Sequence, residues 1–168
     1  MDRLWSPWRY RYVSRTAPSD GCVFCHKPSE RDEDGLILFR GKRNFVLLNL
    51  FPYTTGHLMV VPYEHTAELE TLDAETATEM MALAQRATEC LKQVYHPAGL
   101  NLGMNLGECA GAGIAEHLHM HVLPRWPGDA NFMTTVGETR VMPEDLASTW
   151  RRLAAVFHGQ PDPAPPRA

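Results

Sequence analysis

The run His117-Leu118-His119-Met120-His121-Val122-Leu123-Pro124-Arg125 sets three histidines at alternate positions, with apolar residues between them. A period of two is that of a β-strand, whose successive side chains point to opposite faces of a sheet. Such a strand shows three imidazoles on one face and Leu118, Met120 and Val122 on the other. The apolar face can pack on a core while the histidine face looks into a site. Two chemistries suit this array. The imidazoles can share a metal, or one can act as a nucleophile or acid–base group while its neighbours hold phosphate.

Directly ahead lies Asn105-Leu106-Gly107-Glu108-Cys109-Ala110-Gly111-Ala112-Gly113. Glycines with small neighbours let backbone N–H groups approach a ligand closely and form an anion-binding concavity. The segment matches neither a Walker motif nor a dinucleotide fingerprint. Its position carries the argument, because phosphate held by this loop would lie beside an imidazole. The pairing suggests covalent catalysis at phosphorus. A neutral imidazole takes a nucleotidyl group and a second acceptor removes it, while N–H groups and histidines stabilise charge on the phosphoryl oxygens.

The remaining pattern supplies a scaffold. Residues 35–40 and 44–50 read as a hairpin of two strands, with a turn at 42–44. A loop at 52–56 precedes a third strand, His57 to Val61, stopped by Pro62. A helix then starts at Asp73 as N-cap, with Glu75 in its first turn. Met80, Ala84, Ala87, Leu91 and Val94 form its apolar stripe, and Pro97 and Gly99 end it. Residues 100–105 and 118–123 are the fourth and fifth predicted strands. Residues 143–157 read as a closing helix with Pro143 in its first turn. Hairpins, one long crossover helix and a terminal helix predict an α+β domain with a mainly antiparallel sheet. Residues 1–20, rich in Trp, Tyr and Arg, read as an N-terminal arm suited to a subunit contact. The domain itself is expected over 21–158, and a Pro-rich, disordered tail over 159–168.

The chain has 168 residues and 44% apolar content, enough for one domain with a real core. A net charge of −4 lacks the basic excess of a dedicated nucleic-acid binder. A nucleotide-sized anion depends on local geometry and stays open. No apolar signal region follows Met1-Asp2-Arg3, and no window suits a membrane span. A cytoplasmic location follows as the expectation, with the four cysteines reduced or metal-bound.

These residues resemble the histidine triad family of nucleotide hydrolases and transferases. The resemblance rests on His117 to His121 with Pro124-Arg125, on Asn105 and the glycines, on Asn49, and on Gly56-His57-Leu58-Met59-Val60-Val61-Pro62. It implies a half-barrel of five antiparallel strands with one long helix and a C-terminal helix, and subunits that join their sheets as a homodimer or larger homo-oligomer. It implies that His119 is the nucleophile on an α-phosphate. His121 would bind phosphate and assist with protons, and His57 would support the triad. Asn49 would meet the nucleotide ribose. Asn105, with Gly111, Ala112 and Gly113, would line the phosphate side. Many members carry Gln or Ser four residues ahead of the first triad histidine, whereas this chain has Gly113. The phosphorylase-like bacterial branch is the most similar, sharing Pro124-Arg125-Trp126 and Gly128-Asp129-Ala130-Asn131-Phe132. That likeness implies phosphorolysis of diadenosine tetraphosphate to ADP and ATP, with orthophosphate as acceptor in the room left at Gly113.

Cys22 and Cys25 have the spacing of half a zinc site, and a closed structural site needs two more ligands. Some triad proteins complete such a pair with a histidine after the third strand and the first triad histidine, here His65 and His117. The resemblance thus implies structural Zn²⁺ on Cys22, Cys25, His65 and His117, and no organic cofactor. His26 sits too close to the pair to compete well. Three readings remain open: a nucleotidyl-histidine enzyme, whether phosphorylase, phosphoramidate hydrolase or dinucleoside polyphosphate hydrolase; a zinc hydrolase with all three triad histidines as ligands; and a nucleotide-binding adaptor with weak catalysis.

Overall fold

A computed structural model describes residues 21–139 and 141–163; the N-terminal arm expected over 1–20 lies outside them. Five strands form one open antiparallel sheet: β1 (Ile37–Arg40), β2 (Asn44–Leu48), β3 (Leu58–Pro62), β4 (Gly99–Met104) and β5 (Met120–Arg125). Their spatial order is β1-β2-β3-β5-β4. β3 and β4 both run antiparallel to β5, so they are parallel to each other and need a crossover between them. The long helix, named α3 below, supplies it. The last strand then inserts into the gap, which sets the histidine strand between β3, entered from His57, and β4, which leads into the glycine loop.

The helices are α1 (Val23–His26), α2 (Asp32–Gly35), α3 (Ala74–Tyr95), α4 (Phe132–Thr135) and α5 (Leu146–Phe157). α3 begins where expected. The Asp73 side chain accepts from Thr76 N–H, and a left-handed His96 closes the far end. Its predicted stripe of Met80, Ala84, Ala87, Leu91 and Val94 is buried. That stripe packs with Leu153, Val156 and Phe157 of α5 on the sheet face carrying Leu48, Leu58, Val60, Met120 and Val122. The opposite face holds a second cluster of Phe24, Ile37, Phe45, Leu47, Met59 and Val61. β2 and β3 are therefore buried on both sides.

Several boundaries differ from expectation: β1 starts at Ile37 because Gly35 ends α2, β3 and β4 each shift by one residue, and three further differences have a local hydrogen-bonding reason. β2 stops at Leu48 because the Asn49 side chain accepts from Phe51 N–H at 2.9 Å, turning the chain. α5 starts at Leu146 and leaves Pro143 outside, since Asp145 caps it by accepting from Ser148 N–H. β5 begins at Met120 rather than Leu118, because Leu118 N–H goes to the Thr66 carbonyl at 2.6 Å instead of to the ladder. His117 and His119 thus precede the paired strand. Beyond α5, Asp162 accepts from Arg152 at 2.7 and 3.0 Å, so the chain is tied to the helix at that point of the expected tail. Among the described residues no helix is long and apolar enough to cross a membrane.

Candidate active site

The alternation read from the sequence survives in side-chain direction. Leu118, Met120 and Val122 face the α3 side, and Phe24 of the other cluster packs on both His117 and His119. The three histidines, however, go to two different places. His117 turns to a group with Cys22, Cys25 and His65, while His119 and His121 stay with His57. Sharing of one metal by all three triad histidines is thereby replaced by a division of labour.

The second group is fixed by hydrogen bonds that assign each proton. His119 Nδ1 lies 2.8 Å from the His117 carbonyl, so Nδ1 carries the hydrogen and Nε2 keeps a lone pair. His57 Nδ1 receives the Tyr53 N–H at 3.1 Å and the Asn49 Nδ2–H at 3.3 Å. It is therefore unprotonated, and His57 Nε2 donates to His121 Nδ1 at 2.9 Å. That leaves His121 Nε2–H as a donor, with the His119 ring 4.8 Å away between centroids. Burial, and next the neighbouring His119, push the His121 imidazole down to about 4. Burial also holds His119 and His117 below the ordinary histidine value. All three are neutral near pH 7, as the proton assignments require.

The local chain explains the placement. Gly56 has φ +77°, and a Cβ there would meet Leu91 at 3.0 Å and Tyr95 at 3.1 Å; only glycine lets the 52–56 loop press on α3 and deliver His57 to its strand. In the ladder, His121 stands between Met59 of β3 and Gly103 of β4. A Cβ on Gly103 would meet nothing within 4 Å, so the glycine leaves open space beside the imidazole. In the glycine loop, Asn105 Nδ2 donates to the Gly111 carbonyl at 3.4 Å, and Gly107 and Gly111 take positive φ.

The first group has the makings of a metal site. The ligand atoms of Cys22, Cys25, His65 and His117 lie within 4.8 Å of one another. Cys22 Sγ is 3.2 Å and Cys25 Sγ 3.6 Å from His117 Nδ1, and His65 Nδ1 is 3.3 Å from both Cys25 Sγ and His117 Nδ1. Bonds of about 2.0–2.3 Å to a tetrahedral ion give ligand separations of roughly 3.3–3.8 Å, so the donor set fits. His117 Nε2–H donates to the Pro62 carbonyl at 3.0 Å, which points the Nδ1 lone pair at the other three. A backbone acceptor behind a ligating imidazole is the usual orienting device. His26 is outside the group.

Comparison with known proteins adds the deciding observation, since the HIT domain model matches residues 30–128. The chain belongs to the HIT family. It is 44% identical to the AP-4-A phosphorylase of Mycobacterium tuberculosis, over 96% of this chain and 87% of that one. It is 30% identical to the bis(5'-adenosyl)-triphosphatase of Dictyostelium discoideum, over 53% of this chain and 59% of that protein. A Zn-bound histidine triad family protein from Mycobacterium smegmatis shares the fold with a TM-score of 0.66 at 29% identity, covering 83% of this chain and 95% of that one.

Two features of this HIT-family site escaped the reading of the sequence. A signal for Gly103 was present but unused, because a glycine inside a strand pattern signals an opening or a close approach. Phe24 was signalled only by an apolar aromatic placed between two cysteines.

Proposed function

We propose that the chain catalyses phosphorolysis of diadenosine tetraphosphate to ADP and ATP through a nucleotidyl adduct on His119. The hydrogen bond from His119 Nδ1 to the His117 carbonyl carries the chemistry, because it leaves Nε2 as a lone pair in a neutral ring. The choice of substrate and acceptor is supported by the likeness to the mycobacterial AP-4-A phosphorylase along almost the whole chain. In the first step Nε2 forms a P–N bond to an α-phosphorus. The bond from that phosphorus to its bridging oxygen breaks, and ATP leaves with the electron pair, met by the Nε2–H of His121. In the second step an orthophosphate oxygen attacks the same phosphorus. The P–N bond breaks, its electrons return to His119, and ADP is released. His57 holds His121 in the donating tautomer. Asn49 supports His57 and would also meet the ribose, and Asn105, Gly111, Ala112 and Gly113 would line the phosphate side.

The same reading gives Cys22, Cys25, His65 and His117 a structural zinc ion. When bound, zinc would supply a cross-link between α1, the segment after β3 and the triad, with no open position for substrate. It also carries a homodimer in the cytoplasm. β4 is an edge of the sheet, with Leu102 and the following Leu106 exposed; such an edge offers unpaired backbone groups to a second copy.

Product analysis with diadenosine tetraphosphate, with and without orthophosphate, tests the proposal in wild type and His119→Ala. ADP plus ATP is expected only with orthophosphate and only in wild type. AMP plus ATP without orthophosphate would make the enzyme a hydrolase, the reading that the Dictyostelium relative favours. Gly113→Gln fills the space assigned to orthophosphate and is expected to depress phosphorolysis; full activity in that variant would remove Gly113 from the argument.

A further inference from the structure

α1 is a single turn, Val23–His26, too short to hold itself together in water. Cys22 is its N-cap residue and Cys25 lies within it, so both thiols that face His65 and His117 belong to this turn. Its one buried residue is Phe24, 3% exposed, while Val23 beside it is 40% exposed. The Phe24 ring enters the cluster beneath β2 and β3. There it meets both triad histidines that precede the paired part of β5. Its centroid lies 5.4 Å from that of His117, edge-on at 72°, and 5.0 Å from that of His119, tilted at 50°.

Among the described residues, one hydrogen bond fixes the His119 ring, from Nδ1 to the His117 carbonyl. A single bond at one corner leaves an imidazole free to swing about it. Phe24 closes one side of the ring and His121 stands on another, with its plane at 80° to that of His119. The residue that supplies the carbonyl, His117, is itself held by the Cys/His group through Nδ1 and by Pro62 through Nε2. The Cys/His group therefore reaches His119 by two routes: the backbone carbonyl that fixes the proton, and the aromatic wall that fixes the plane.

We infer that Phe24 is a positioning residue for His119, and that the turn between Cys22 and Cys25 serves to press it there, so that the Cys/His group controls the orientation of the nucleophile as well as the stability of the fold. This inference rests on the proposed role of His119 for its catalytic consequence, and on geometry alone for its structural one.

The test pairs Phe24→Ala and Phe24→Leu with Val23→Ala, a change at an exposed neighbour on the same turn. Ring nitrogen chemical shifts of His119 are read by NMR in the metal-loaded protein, together with bound zinc per chain and steady-state kinetics on diadenosine tetraphosphate with orthophosphate. Wild type and Val23→Ala are expected to show a single Nδ1–H tautomer for His119. In Phe24→Ala the two ring nitrogens should move toward averaged shifts while zinc content stays at the wild-type level. The kcat of that variant should fall at least tenfold with KM within about twofold, and Phe24→Leu should recover much of the loss by refilling the wall. Stripping the metal from wild type should move the His119 shifts in the same direction as Phe24→Ala. Unchanged His119 shifts in folded, zinc-loaded Phe24→Ala would overturn the positioning role. Unchanged shifts on metal removal would overturn the link to the Cys/His group. If wild type fails to turn over the dinucleotide, the function proposed above falls, and the NMR comparison still decides the role of Phe24.

Discussion

His119 and His121 differ by one hydrogen bond, and that difference assigns their roles. His119 spends its proton on a backbone carbonyl and keeps Nε2 as a lone pair, whereas His121 accepts at Nδ1 from His57 and keeps Nε2–H as a donor. Replacing His57 by Ala removes the donor that sets the His121 tautomer. Phosphorolysis in His57→Ala should fall by about 10²-fold, at the low end of general acid–base contributions, with little change in KM; an unaltered kcat would show that His121 needs no partner. The acid side of the stability profile belongs to the same residues. In the folded chain His121 is pushed down to about 4, against an ordinary value of 6.5. The unfolded chain thus takes up a proton first as pH falls, so this contribution to stability is complete above about 6.5 and drains away down to about 4. Thermal melting from pH 7.5 to 4.5 should show that decline, and His121→Gln should flatten it. Alternation in the sequence identified these histidines as one set. It carried no information on which carbonyl or imidazole would take each proton, because Pro62, His57 and Tyr53 are brought to them only by the sheet and its loops.

Elements built from local signals lie close to where the sequence puts them, and those that depend on competing partners do not. α3 was legible from its Asp73 cap and its four-and-three apolar stripe, both local properties. α5 was legible as a helix but not in its start, since Pro143 and Asp145 both suit an N-terminus and the carboxylate that reaches Ser148 N–H decides. One anchor between elements was hidden altogether. Glu79 on α3 accepts from the backbone N–H groups of Lys42, Arg43 and Asn44 at 2.7–2.8 Å, and from Asn44 Nδ2 at 3.0 Å. It satisfies the turn between β1 and β2 from 35 to 37 residues away. Glu79→Ala should cost about 2 kcal/mol, because it strips a charged acceptor from several donors at once. Urea unfolding measures this, and a loss below about 0.5 kcal/mol would mean that water replaces the carboxylate. The short turns α1, α2 and α4 were not expected from the sequence at all. Single turns have too little periodicity to read, and packing or capping stabilises them rather than propensity.

At the scale of the whole molecule, the order β1-β2-β3-β5-β4 is what makes a site. It sets β5 next to β3 and brings His121 to His57 across 64 residues of chain. The Cys/His group closes the other end, joining a turn at residues 22–25 to His65 and His117. Stripping the metal with a strong chelator should lower the melting temperature markedly, because a cross-link between distant segments is lost. The same should hold for Cys25→Ser, and a chelator-insensitive melt with no bound zinc would refute the metal site. Leu102→Glu on the exposed edge should convert a dimer to a monomer in sedimentation, while a monomeric wild type would remove the proposed assembly. The sequence by itself determined the α+β class, the long helix and the five strands to within a few residues, while the resemblance to the histidine triad family implied which residues join each histidine group. Class, helix and strands rest on period, capping and turn signals along the chain. Only the tertiary structure decided against one metal shared by all three triad histidines, which nitrogen of each ring holds its proton, and that Phe24 walls the nucleophile. These depend on contacts between segments that the chain separates and the crossover through α3 brings together, and a one-dimensional pattern does not encode such distances.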